Sequence, residues 1–184
     1  MTIRSFVALI IPEEELKKII DIRNDVYGFR DKARWEPVNK LHITLKFLGD
    51  TDEKILDQLS NNFESVLNNF RPINCSFSEF GLFKKDGRPR ILWAGLKENK
   101  ILLDLASELE NVSAEYGFQK ENRKFKPHIT ILRVRGSENI DSIYKLSRTK
   151  IDSVEFTADT IVYFKSELNP GGSVYSPIRK YLLK

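Results

Sequence analysis

The sequence predicts an α+β fold in which two lobes, built on mainly antiparallel sheets with helices outside, face each other across a central cleft. Three observations lead there: a strand octapeptide that occurs twice, a strand–helix–strand order that repeats around it, and turn signals that join neighbouring strands directly. The octapeptides are Leu41-His-Ile-Thr-Leu-Lys-Phe-Leu48 and Pro127-His-Ile-Thr-Ile-Leu-Arg-Val134. They hold both histidines of the chain, His42 and His128, 86 residues apart.

A strand over 3–11 opens the first half. Its apolar stretch from Phe6 to Ile11 follows Arg4 and faintly suggests a secretion signal. It is short, however, lacks a small-residue cleavage site and runs into Pro12-Glu-Glu-Glu15, so it reads as a buried strand. A helix is expected from Pro12, where Glu13, Glu14 and Glu15 suit the positive end of the helix dipole. The His42 strand follows. Asp52 is an N-cap signal for a helix in which Ile55, Leu59, Phe63, Val66 and Phe70 recur three or four residues apart. Strands over 73–82 and 90–96 flank a Lys-Asp-Gly turn, a hairpin whose loop reads as longer than two residues.

The second half repeats the plan. A helix over 98–116 carries Leu102, Leu105, Leu109, Val112 and Tyr116 on one face, with Gly117 placed to end it. The His128 strand comes next, then a short helix over 138–147. Strands over 153–165 and 173–183 are separated by the turn Asn169-Pro-Gly-Gly172. With no low-complexity linker anywhere, residues 1–184 are expected to form a single bilobal domain.

Composition narrows the function classes. A chain of 184 residues, 41% apolar, is long enough for one compact domain or two small lobes sharing a core. Charged residues at 30% and a mean hydropathy of −0.37 point to a soluble protein, and no apolar run approaches the length that spans a bilayer. The single cysteine, Cys75, excludes an internal disulfide and suits a reducing cytosol, so a cytoplasmic location is expected. A net charge of +4 with a pI near 9.1 favours a polyanionic partner. Two basic clusters carry much of that charge: Lys84, Lys85, Arg88 and Arg90 around Asp86-Gly87, and Arg123, Lys124 and Lys126 before the second octapeptide. Either could track a nucleic-acid backbone or form a solvated surface.

The chemistry lies in the repeat. Strand alternation puts His42 and Thr44 on one face, and His128 and Thr130 likewise, so two imidazoles and two hydroxyls can converge on the cleft. A lone strand histidine is usually a satisfied structural residue. Duplication argues otherwise, because general acid–base catalysis near neutral pH needs one group to take a proton and another to give one. Lys46 shares the face of His42 and Thr44 and would add positive potential, unless it is a solvated strand-end lysine. Alternation sends Arg133 to the face opposite His128 and Thr130, so it reaches the cleft only if the strand bulges or ends before it. Neither motif has a nearby third ligand for a catalytic metal.

At these residues the chain resembles the two-histidine (2H) phosphoesterases, specifically the LigT-like RNA 2′,3′-cyclic phosphodiesterases. The likeness runs through Arg4-Ser-Phe-Val-Ala-Leu9, Trp35-Glu-Pro37, both octapeptides, Arg90-Ile-Leu-Trp-Ala-Gly95, Phe125-Lys-Pro127 and Tyr175-Ser-Pro-Ile178. The resemblance implies a bilobal fold with a pseudo-twofold axis and a site that uses no metal and no cofactor. It implies hydrolysis of a 2′,3′-cyclic phosphate to a 2′-phosphomonoester, with His42 as proton donor, His128 as proton acceptor, and Thr44 and Thr130 holding the nonbridging oxygens. Run backwards, the same site would join 2′–5′ RNA ends. Arg133 is implied as a phosphate clamp, and Phe6, Trp35 and Tyr175 as surfaces on which a base can stack, whereas Trp93 reads as core. The implied partner is RNA with a cyclic phosphate end, bound by a monomer away from any membrane. A 2′,5′-oligoadenylate or other cyclic-nucleotide phosphodiesterase of the same superfamily would keep both motifs, and a non-catalytic RNA-binding module would bind without turnover.

Overall fold

Strand β1 (Thr2–Leu9) lies near the middle of the sheet, and the stretch that hinted at a secretion signal is almost wholly buried in it: Val7, Ala8 and Leu9 are 0% exposed. The computed structural model describes residues 1–28 and 32–184. After β1 come α1 (Glu13–Tyr27), β2 (Ile43–Asp52), α2 (Leu56–Leu67), β3 (Ile73–Lys85), β4 (Arg88–Leu96), α3 (Lys100–Glu115), β5 (His128–Arg133), α4 (Ile140–Leu146), β6 (Glu155–Ala158), β7 (Thr160–Asn169) and β8 (Gly172–Leu182). Asp52 acts as the cap signal that the sequence predicts, and two asparagines that sequence reading passed over do the same for later helices. Asp52 accepts from the Lys54 N–H to start the 3-10 turn that leads into α2, and Asn99 and Asn139 cap α3 and α4.

The strands are ordered β6-β3-β4-β5-β2-β1-β7-β8 in one sheet. The two expected sheets are therefore its halves, β2-β1-β7-β8 in one lobe and β5-β4-β3-β6 in the other. They meet where β2 and β5 touch through one Cα pair, Ile43↔Ile129. Reading outward from that seam, β2 matches β5, β1 matches β4, β7 matches β3 and β8 matches β6, which is the pseudo-twofold arrangement.

Helices cover one face and leave the other for the cleft. In the first lobe Phe63 of α2 packs edge-on against Tyr163 of β7, and Ser60 of α2 accepts a hydrogen bond from Tyr181 of β8 through its backbone oxygen. The α3 helix, which follows the second lobe's β4, lies beside α2 and reaches β2 through Glu110. Likewise α1, which follows the first lobe's β1, packs on α4, and Tyr144 of α4 receives Lys84 of β3. Each lobe thus borrows a helix from the other half of the chain, which ties the halves together more firmly than their single strand pair.

Two sequence expectations need correction. The strand read over 153–165 is two strands broken at Asp159: β6 pairs with β3 in the second lobe, and β7 pairs with β1 in the first. An apolar alternation continues across a change of lobe, so periodicity alone does not reveal the crossing. The β3–β4 loop is two residues, not more. Asp86 and Gly87 have φ of 53° and 73°, the positive pair that a type I′ turn requires.

Candidate active site

The seam pair organises the site. Ile43 and Ile129 are 0% exposed and point to the helix side, so the residues on either side of each point into the cleft. Extending that antiparallel register puts His42 across from Thr130 and Thr44 across from His128, and directly opposed side chains have Cβ atoms about 5 Å apart. Two imidazoles and two hydroxyls therefore form a compact square. Neither threonine hydroxyl has a hydrogen-bond partner among the described residues, which leaves both able to donate to a ligand.

Both rings are held the same way from behind. The Nδ1 of His128 lies 2.6 Å from the Lys126 carbonyl oxygen, and His42 makes the matching bond to the Lys40 carbonyl, two residues back in each case. A carbonyl only accepts, so the bonded ring nitrogen, Nδ1 in His128, carries the hydrogen, and the neutral His128 ring keeps Nε2 as its proton acceptor. Aromatic rings pack around each: Phe6 stacks on His42 at 5.0 Å with Tyr175 edge-on at 5.5 Å, while Phe83 stands edge-on to His128 at 5.0 Å. This apolar packing is what lowers both rings' proton affinity. Burial pulls His42 down to about 4, opposed by its bond to the Lys40 carbonyl and assisted by the charges of Arg133 and His128. Burial also lowers His128, and the Lys126 ammonium adds to the effect.

A bulge places Arg133. Opposite consecutive Trp93 and Leu92 of β4 stand Thr130 and Leu132 of β5, so Ile131 is an extra residue and the alternation shifts by one. Arg133 thereby reaches the cleft face, close enough for its charge to act on His42. Its Nε is 3.5 Å from a carboxylate oxygen of Glu36, a neighbour that sequence reading missed.

The same bulge occurs in β2 and overturns the expectation for Lys46. Consecutive Val7 and Ala8 face Lys46 and Thr44, leaving Leu45 as the extra residue. Lys46 consequently turns away from His42 to the helix side, where it is 4% exposed, 2.6 Å from Glu110 and 2.8 Å from the Gln119 carbonyl oxygen. A buried ammonium needs such partners. In its place Phe47 comes to the cleft, 68% exposed and 5.9 Å from Phe6. The signal for Phe47 was present in the sequence: it stands in the first octapeptide where Arg133 stands in the second.

The aromatic expectations divide. Tyr175 lines the cleft beside His42. Phe6 is 3% exposed with its face against the imidazole, so it supports His42 and offers no surface to a base. Trp35 is taken up by Tyr27 edge-on at 4.7 Å and by the Arg23 guanidinium 4.5 Å above its ring, away from the histidines. Trp93 is buried, but in the cleft wall beside His128, with the Lys126 ammonium 3.8 Å over its ring. Gly81 makes room for it: a Cβ there would lie 2.1 Å from the indole. The thiol of Cys75 is buried away from the cleft and pushed up to about 11. Among the described residues, no three His, Cys, Asp or Glu side chains gather as a metal would need, and no helix is long and apolar enough to cross a membrane.

Comparison with known proteins agrees with this geometry. A family profile described as the 2′-5′ RNA ligase superfamily matches residues 12–170. A protein of Methanocaldococcus jannaschii named RNA 2′,3′-cyclic phosphodiesterase is 30% identical over 97% of this chain and 99% of its own length. A Thermotoga maritima protein of the same name is 31% identical over 94% of this chain and 91% of its own. Among solved structures, TT0787 of Thermus thermophilus superposes with a TM-score of 0.82 at 26% identity, covering 98% of this chain and 97% of that one. Escherichia coli LigT complexed with 3′-AMP superposes with a TM-score of 0.77 at 22% identity, covering 100% and 99%. The chain belongs to the 2′-5′ RNA ligase superfamily.

Proposed function

From that membership and the square of side chains in the cleft, we propose that this protein hydrolyses RNA 2′,3′-cyclic phosphate ends to 2′-phosphomonoesters. The observation that carries the reading is the pairing of His42 with Thr130 and of Thr44 with His128 across one seam, on a fold shared with relatives named for this activity. The five-membered cyclic phosphodiester sits with its nonbridging oxygens between the two threonine hydroxyls and the Arg133 guanidinium. Nε2 of His128 takes a proton from the attacking water as its oxygen bonds to phosphorus. The bond from phosphorus to the ribose 3′ oxygen breaks, and Nε2–H of His42 gives that oxygen its proton. Two imidazoles supply both proton transfers, so the step requires no metal or cofactor.

His42, held near 4 in the free protein, acquires its proton when substrate binds. The phosphate anion offsets the Arg133 charge that disfavours the imidazolium and attracts the proton directly. Burial favours the neutral ring at His128, with the Lys126 ammonium assisting and the bond to the Lys126 carbonyl opposing, and a neutral ring suits a base. With an RNA 5′-hydroxyl in place of water, His128 takes that hydroxyl's proton as its oxygen bonds to phosphorus, the 3′ oxygen leaves with the proton from His42, and the product is a 2′–5′ phosphodiester, which is ligation as a secondary activity. We read residues 1–184 as one bilobal catalytic domain that works as a cytoplasmic monomer.

The test is the product. Purified protein given a 2′,3′-cyclic nucleotide, and an RNA ending in the same group, should yield the 2′-phosphomonoester from both by phosphorus NMR, at an unchanged rate after exhaustive chelation. A product mainly of the 3′ isomer would contradict the assigned leaving group. Binding without turnover would contradict the enzyme.

A further inference from the structure

We propose that the β3–β4 hairpin tip is a second binding surface that holds backbone phosphates of the RNA upstream of the reacting end, with Lys85 and Arg88 as the contacting residues. The inference rests on the reading of the cleft as a site for RNA 2′,3′-cyclic phosphate.

Placement comes first. Phe83 of β3 touches the His128 ring at 5.0 Å, and alternation from Phe83 puts Lys85 on the same cleft face. At the usual strand rise, Lys85 is about 7 Å farther out than Phe83. Arg88 is its cross-strand partner, so the two cations stand side by side at the mouth of the second lobe. The strand alternation sends Lys84 to the other face, where its ammonium is 5.2 Å from the Tyr144 ring centroid.

The scaffold presenting this pair is stiff for a loop tip. The two-residue Asp86-Gly87 turn closes it, and Arg90, the extra residue of a bulge, accepts the Val134 N–H at 2.9 Å through its carbonyl. That bond ties the hairpin to the end of β5, where Arg133 lies. Cations from the phosphate clamp to the hairpin tip are thus carried on neighbouring strands.

Charge accounting separates the tip from the cluster before β5, where Lys126, which also has no ion pair among the described residues, lies over the Trp93 ring. In the basic cluster before β5, Lys124 is paired with Glu98 and Arg123 with Glu121, and nearby Lys150 is paired with Glu79. Lys85 and Arg88 are exposed and have no ion pair among the described residues; Asp86, at the turn itself, is the acid beside them. Uncompensated cations on a cleft edge gain most from a polyanion, whose bound counterions they release. A mononucleotide cyclic phosphate fills the cleft and leaves the tip bare, whereas an oligonucleotide has further phosphates to reach it.

The experiment compares wild type with K85A/R88A on a 2′,3′-cyclic mononucleotide and on an eight-nucleotide RNA ending in 2′,3′-cyclic phosphate, alongside anisotropy binding of a labelled RNA of that length. Wild type should prefer the longer substrate in kcat/KM. The double variant should keep the mononucleotide rate, lose about tenfold on the RNA, and flatten the salt dependence of RNA binding by about 1.4 in log–log slope, the value for two single-strand phosphate contacts. Equal losses on both substrates would mean the hairpin acts on the cleft, and an undiminished preference for RNA would mean it is not contacted; either overturns the proposal. Turnover of neither substrate by wild type would refute the reading of the cleft, while the anisotropy slopes would still decide the surface.

Discussion

The two walls of the cleft are built on nearly the same strand, yet they present different chemistry. In the first lobe His42 is surrounded by Phe6, Phe164 and Tyr175, with Phe47 exposed at the edge. In the second lobe His128 stands against Phe83 and Trp93 with the Lys126 ammonium beside it, while Arg133, farther along β5, turns its charge toward His42 across the seam. Both strands bulge one residue after the threonine, at Leu45 and Ile131. Matching backbones therefore present matching imidazoles and hydroxyls, and the residue three positions past each threonine sets the character of its wall: Phe47 on one side, Arg133 on the other. Repetition supplies the acid–base pair, and departure from repetition gives the cleft an apolar side and an anion-binding side.

The shared part is tested by removing it. His42→Ala and His128→Ala should each lower kcat by about 10²- to 10⁴-fold, with the double variant little worse than either single, because both rings act in one step. Near-normal turnover in either single variant would break the comparison at its base.

The divergent part predicts unequal roles for the matched positions. Arg133→Lys should lose about tenfold or more in kcat/KM, because a point charge does not reproduce the guanidinium fork. Phe47→Ala should instead raise KM by a few-fold at constant kcat, as loss of stacking worth about 1 kcal/mol would. Equal effects on kcat at both positions would erase the distinction between the walls.

Proton affinities sharpen it further. The proposed reaction needs one proton on the pair, and both rings fall below the ordinary histidine value in the free protein, His42 to about 4. Since kcat/KM reports the free protein, its basic limb should lie below pH 6.5, the ordinary value, with the acid limb near or below pH 4. The bell for kcat should lie at higher pH, because bound phosphate raises both rings. Coincident bells in steady-state profiles would remove substrate-assisted charging of His42.

The smallest effect on catalysis belongs to Lys46. Lys46→Met should leave kcat near wild type while lowering stability by about 1–2 kcal/mol in urea unfolding, since Glu110 loses its partner but is exposed enough to recover water. A large fall in kcat at unchanged stability would return Lys46 to the cleft.

Much of the site was legible because His42, Thr44, His128 and Thr130 precede their bulges: over three residues, alternation alone decides which way a side chain points. The helices were legible through their apolar spacing and their caps at Asp52 and the Gly117 end of α3. Past the bulges the rule fails. Which residue is extra depends on how β2 pairs with β1 and β5 with β4, and a strand's own sequence does not contain its partner's register. Lys46 and Arg133, assigned to faces by unbroken alternation, exchange faces for that reason. Tertiary structure alone also decided that the chain changes lobes at Asp159, that each lobe takes a helix from the other half, and that Phe6 lies beneath His42 where Phe47 is open to the cleft. The sequence by itself determined which groups can transfer protons; cross-strand pairing determined what surrounds them.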